Sequence, residues 1–254
     1  EATIFFSGEN SWKQFNQWPP ANKQDRAMYL QPNGGLNWTA PAGKSNPSEY
    51  ISDPAKPVPY TEDVHFNRTT AYMDDDQRFA SRRPDVLTFQ TVILTEDISL
   101  GGTLTADLKV SITGTDADFI VKLIDVFPDT FSYPTDAAAV GRASGGSYPM
   151  GGYQMLVRGE VMRGKYRNSF ETPEPFKPNV VTTVKYDLPD VAHTFKKGHR
   201  IMIQIQSSWF PLVDRNPQKF LNIYEANEND FQKATIRVFH DPQNKSSIIL
   251  PVIK

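Results

Sequence analysis

The chain has no cysteine, so its chemistry must come from histidines, carboxylates, serines and lysines. It has four histidines: His65, His193, His199 and His240. None has the i, i+4 spacing that puts two metal ligands on one helix face. His193 and His199 flank the turn Lys196-Lys197-Gly198 and can therefore be brought near each other. At strand ends such residues serve more often as structural hydrogen-bonding groups than as bases. A Ser hydrolase of α/β type needs Gly-x-Ser-x-Gly, because the small neighbours permit the strained nucleophile turn. Ser144 sits in Arg142-Ala143-Ser144-Gly145-Gly146, which lacks the first glycine. The densest carboxylates are Glu62, Asp63, Asp74, Asp75, Asp76 and Asp85, interleaved with Arg68, Arg78, Arg82 and Arg83. Consecutive carboxylates suit a hard cation, but no spacing matches a calcium loop. A solvated, ion-paired segment is the plainer expectation, with no metal and no cofactor. Taken residue by residue, the chain offers no catalytic machinery.

The residues that could make a contact surface lie further on, in His193–Gln218. Ile201, Ile203 and Ile205 alternate with Met202, Gln204 and Gln206, the period of a strand with one apolar face. The alternation ends at Gln206. Ser207-Ser208-Trp209-Phe210-Pro211 then leaves the sheet, since Pro211 cannot pair in an ordinary ladder. Trp209, Phe210, Asp214, Arg215 and Asn216 are the candidate contact residues. Asp214 and Arg215 can hold the loop by bonding neighbouring backbone. Two outcomes are open. A docking loop leaves an exposed apolar patch, whereas a plug folds back over the end of the domain.

The elements that must carry this loop are strands. Alternating or apolar runs occur at 3–6, 27–30, 86–94, 104–112, 119–126, 154–161, 180–188, 201–206, 234–240 and 248–253. Residues 119–126 are apolar on both faces and so central, and 217–233 hold at most a short helical turn. Twenty prolines and fifteen glycines punctuate the runs. This pattern predicts an all-β sandwich, and its long crossing connections favour a jelly roll with long loop insertions, one of them at 128–152. A single domain over 1–254 is expected: lead-in strands at 1–38, an extended and charged arm at 39–85, and the main sandwich at 86–254. Trp12, Phe15 and Trp18 read as a packing corner. A net charge of -2 gives no reason to expect nucleic acid. No apolar run approaches the ~20 residues of a membrane-spanning helix. The first residues already read as a strand, without Met or leader, as in a piece of a longer protein.

Several segments resemble a known family: RRPDVLTFQT (82–91), TGTDADFIVKLIDVFP (113–128), GGYQMLVRGEVMRGKYRNSF (151–170), LPDVAHTFKKGHRIMIQIQSSWFPLVDRNPQ (188–218) and DFQKATIRVF (230–239). They are similar to the C-terminal region of the serine hydrolases that include X-prolyl dipeptidyl-peptidase and cocaine esterase. The likeness is closest to the α-amino acid ester hydrolase and glutaryl-aminocephalosporanic-acid acylase branch. The resemblance implies a galactose-binding-like jelly roll without the Ser-Asp-His triad, which belongs to a preceding α/β-hydrolase domain. It also implies that this domain packs on the hydrolase domain and helps wall a cleft for a small acyl, ester or peptide substrate. A parent that is periplasmic or secreted, and homo-oligomeric, would fit the family. No catalytic residue carries over, because no position here matches one. The alternative is a free-standing carbohydrate-binding module, with Trp12, Trp18, Trp38 or Trp209 as a stacking platform.

Overall fold

In a computed structural model that describes residues 1–131 and 149–254, the chain is an antiparallel β-sandwich. The Ser144-Gly145-Gly146 stretch lies outside the described residues. Strands β1 (Ala2–Phe6) and β2 (Ser11–Phe15) form a separate hairpin. Seven strands make the larger sheet. These are β3 (Lys23–Leu30), β4 (Leu36–Asn37), β5 (Ser48–Ser52), β7 (Ile98–Ile112), β10 (Thr182–Phe195), β12 (Ala234–Val238) and β13 (Ser247–Ile253). The smaller sheet runs β6-β11-β8-β9, from β6 (Leu87–Gln90), β8 (Asp118–Val126), β9 (Gln154–Arg163) and β11 (Arg200–Gln206).

The long β7 organises the larger sheet. Along one edge it pairs β13 and then β12, and along the other it pairs β10. Its alternation buries Leu104, Ala106, Leu108, Val110 and Ile112. Those side chains meet Phe119, Val121 and Leu123 of β8 and Ile201, Ile203 and Ile205 of β11 in one core, joined by Ile236 and Val238 of β12. The inner face of a sandwich is expected to fill in this way.

Strand β10 runs past the expected end at Leu188 to Phe195. Pro189 cannot donate to a ladder, so the register with β7 shifts between Leu188 and Val191 and pairing then resumes. The segment 217–233 forms two single 3-10 turns, Ile223–Glu225 and Glu228–Asp230. The stretch 39–85 contributes edge strand β5, and its Arg78–Ser81 forms a one-turn helix, α1. In the aromatic corner Phe15 and Trp18 pack against Phe6, while Trp12 is 70% exposed and makes an edge-to-face pair with Phe5.

The smaller sheet is covered on its outer face as well. Ile120, Lys122 and Ile124 of β8, and Met202, Gln204 and Gln206 of β11, point away from the core yet are all buried. The alternation therefore predicts the faces of β11 correctly, but its polar face is not a wet one. Residues 58–81 and the loop after β11 lie across it.

Candidate functional site

Where β11 ends, the loop is strapped to residues 58–60. Ser208 Oγ accepts from Val58 N (2.8 Å), Phe210 N donates to Val58 O (2.9 Å), and Tyr60 N donates to Phe210 O (2.9 Å). One residue earlier, Ser207 Oγ and Tyr50 OH are 2.6 Å apart. Tethered from both sides, the loop turns Trp209 inward, where it is 5% exposed. It packs with Tyr60 and Ile120, flanked by Tyr72, Leu156, Val161, Leu212 and Val213. Tyr72 meets it edge-on at 5.7 Å. Across the sheet, Gly159 leaves room for the indole: a Cβ there would lie 3.1 Å from the ring.

The five candidate residues separate into three places. Phe210, 40% exposed, lines a cavity of about 490 Å³ together with Asp214, Arg215 and Tyr224. Arg215 donates to Pro54 O and to Glu228 Oε1, both at 3.2 Å, and its guanidinium covers the Phe231 ring. The Asp214 carbonyl accepts from Arg163 at 3.3 Å. Trp209 faces the buried layer instead. Asn216 turns into the protein and donates to Asp116 Oδ2 (3.1 Å) and Asp118 Oδ1 (2.9 Å).

That last cluster is a buried acid pair. Asp118 takes a two-pronged ion pair from Arg163, with Nε and Nη2 both at 3.1 Å. Asp116 Oδ1 accepts the N–H groups of Ala117 and Lys165, both at 2.9 Å. Burial, reinforced by the Asp118 charge, pushes the Asp116 carboxyl up to about 6. Among the described residues no group of three or more His, Asp or Glu is placed to hold a metal ion.

The two histidines flanking the lysine turn do come together, on Asp125. His199 Nδ1 lies 2.8 Å from Asp125 Oδ1 and His193 Nε2 3.2 Å from Oδ2. Ser7 Oγ sits 2.9 Å from His193 Nδ1, which completes a serine–histidine–aspartate sequence of contacts. The order is that of a nucleophile, a base and an orienting acid. The setting differs. His193 and Asp125 are fully buried. The N–H groups of Ser7 and Thr194 pair with Ala192 O and Ser7 O, and so are not aimed at a developing oxyanion. This network fastens the β1 hairpin and β10 to the end of β8.

The least expected residue is Lys122. It is fully buried at the middle of β8, opposite Gln204 on one side and Gly159 on the other. Its Nζ donates to Gln77 Oε1 at 2.9 Å and lies 4.7 Å from the Trp209 ring centre. Among the described residues no carboxylate approaches it. Burial alone lowers its ammonium from the ordinary 10.5 to about 7. Sequence reasoning passed over this residue because a lysine in a strand reads as a solvent-facing position. The one available signal was its place in FIVKLIDV, between residues apolar on both faces.

Comparison with known proteins matches residues 3–249 to the X-Pro dipeptidyl-peptidase C-terminal non-catalytic domain. The chain belongs to that family. The domain is 30% identical to cocaine esterase from Rhodococcus sp., over 99% of this chain and 41% of the relative. Among solved structures it superposes on an α-amino acid ester hydrolase with a TM-score of 0.88 and 42% identity, covering 98% of this chain and 40% of that one. An aminopeptidase from a marine-sediment Thaumarchaeota archaeon gives the same TM-score at 38% identity, over 99% of this chain and 40% of its own. The chain thus spans about two fifths of the length of these relatives.

Proposed function

We propose that this domain packs on the α/β-hydrolase domain of a longer polypeptide and supplies part of the wall of its substrate cleft, for a small acyl, ester or peptide substrate. In this reading Trp209 acts through what it seats. Tyr72, edge-on to it, and Tyr60, tilted against Tyr72 in the same cluster, bracket an excursion of the chain whose residues 62–68 are all exposed. The excursion is pinned shut at its base: Thr69 N donates to Tyr60 OH (3.1 Å) and Glu62 N to Asp75 Oδ2 (3.1 Å). At its tip Val64 and Phe66 are fully exposed, and Met73 is 52% exposed. Large apolar side chains held out on a braced loop mark an interaction surface. That observation carries the proposal. Phe210, beside the cavity it shares with Tyr224, extends the same apolar character along the loop.

The test uses the longer polypeptide and the isolated chain in parallel. Val64→Ala/Phe66→Ala should raise KM or lower kcat for amino acid esters, X-Pro anilides or acyl β-lactams, because the cleft wall is disturbed. The same double substitution should change the isolated chain's stability by less than about 0.5 kcal/mol, as expected at exposed positions. Unchanged kinetics on every substrate class would refute the docking role. The isolated chain itself should turn over none of them.

A further inference from the structure

Lys122 is buried with no carboxylate beside it among the described residues, and residues 58–81 lie over it. We propose that residues 58–81 form a gated cover, which closes over Lys122 when the amine is uncharged and opens when it takes a proton.

Gln77 makes three of the bonds that fix the cover to the sheet, beside those of Asp74 and Asp76 to residues 153–154 and those of Val58 and Tyr60 to the loop after β11. Gln77 N donates to Gln154 O (3.0 Å), Gln77 O accepts from Gln204 Nε2 (3.2 Å), and Gln77 Oε1 accepts from Lys122. Phe79 and Trp209 place rings 5.9 Å and 4.7 Å from Nζ. A neutral amine is satisfied by this arrangement, since one acceptor uses one of its hydrogens and the aromatic rings exclude water. An ammonium has three donors and here finds one acceptor. Its attraction to the indole face does not replace the lost hydration.

The other charges around it are engaged elsewhere. On the cover, Asp75 accepts from Glu62 N, while Asp76 pairs with Arg78 and accepts from Gln154 N. On β9, Arg158 donates to Asp190 O and Glu160 accepts from Val161 N. In the loop, Arg215 pairs with Glu228, and the Asp214 carboxylate is exposed. The groups beside Lys122 on β11 and β9 are Gln204 and Gly159, neither of which titrates. Protonation of Lys122 is therefore answered by opening and not by a counter-ion.

Opening also has local compensation. Trp209 Nε1, Gln204 Oε1 and Gln206 Oε1 are buried and have no hydrogen-bond partner among the described residues. Water reaching this layer would satisfy all three, which lowers the free energy of uncovering relative to unfolding the core. The lowered proton affinity of the closed form sets the window. Between about pH 7 and 10.5 the open form holds a proton that the closed form lacks, so closure strengthens as pH rises. The inference bears on the reading of residues 62–68 as a docking surface, since the cover carries them. Its test is independent of that reading.

The chain has no cysteine, so Ala80→Cys places a single thiol on the buried side of the cover, packed with Val58 and Val86, at a position with no exposure. Its rate of reaction with a thiol reagent, divided by that of an exposed thiol at the same pH, reports the opening. From about pH 7.5 to 9.5, protection should rise almost tenfold per pH unit in this background. In Ala80→Cys/Lys122→Met it should be independent of pH. A thiol at Ala106, in the core between the sheets, should be protected much more strongly. If Ala80→Cys does not fold, corrected amide hydrogen exchange of residues 58–81 in the unsubstituted chain and in Lys122→Met gives the same comparison. Equal slopes with and without Lys122, or equal protection at Ala80 and Ala106, would overturn the proposal. Loss of docking with the pH slope intact would refute only the role of residues 62–68.

Discussion

Trp209→Ala distinguishes a seat from a simple plug, and its size can be worked out. Removing a buried tryptophan side chain costs about 3–5 kcal/mol when the site does not collapse. Trp209 is 5% exposed, and its Nε1 has no partner, so packing is lost but no hydrogen bond is. A second contribution has the opposite sign. With Lys122 lowered to about 7, keeping it buried at pH 7 disfavours the native state by about 4 kcal/mol. At pH 10 that cost is about 1 kcal/mol, because the unfolded amine is itself partly neutral. Trp209→Ala opens the layer to water and relieves the cost. The expected loss is then nearly the full 3–5 kcal/mol at pH 10 and up to about 3 kcal/mol smaller at pH 7. Urea unfolding followed by circular dichroism at the two pH values measures both, and Trp209→Ala/Lys122→Met should lose the difference. For a domain of this size the alkaline loss corresponds to about 6–20 °C in Tm. The same loss at both pH values would show that Trp209 does not seal Lys122. A loss under about 0.5 kcal/mol would show that it is not a seat at all.

Three further outcomes follow from the buried groups. Asp116 is pushed up to about 6 from the ordinary 3.8, so the native state holds its proton longer and stability falls as pH rises between those values, by about 3 kcal/mol; against Asp116→Asn, unfolding titrations from pH 4 to 7 should show the original chain losing ground across that window, and a flat difference would contradict the shift. Ser7→Ala should cost about 1 kcal/mol through its bond to His193 and change no ester-hydrolysis background, whereas a background that disappears with Ser7 would make the buried network catalytic. Leu123→Ala and Ile203→Ala, both in the shared core, should each cost about 2–5 kcal/mol by chemical unfolding, and losses below about 0.5 kcal/mol at both would contradict the sandwich.

The sequence is legible where one residue's environment follows from its immediate neighbours. Period-2 alternation places Ile201, Ile203 and Ile205 on the core side of β11, and does the same along β7, because a strand's faces are set by geometry alone. Likewise, the six-residue separation of His193 and His199 across a glycine turn is short enough to read as proximity, and Asp125 joins them. What alternation cannot supply is the identity of whatever lies on a sheet's second face. Gln204 and Gln206 look like a wetted surface, since polar side chains at alternate positions ordinarily face water, while Lys122 stands in a run that reads as apolar on both faces. They are buried because residues 58–81, at least 41 positions earlier than Lys122, fold back across them. The prolines and charges of that arm mark it as extended and solvated, which says nothing about where its side chains lie. Trp209 and Asn216 are opaque for the same reason. Adjacent in the loop to Phe210 and Arg215, they share the sequence signature of a contact surface, yet their directions are fixed by partners at Tyr60, Lys122, Asp116 and Asp118. The site is therefore a property of the covering layer, and the lysine beneath it donates to that layer through Gln77. Buried, with a single acceptor on Gln77, it couples its own protonation to the arm that lies over it.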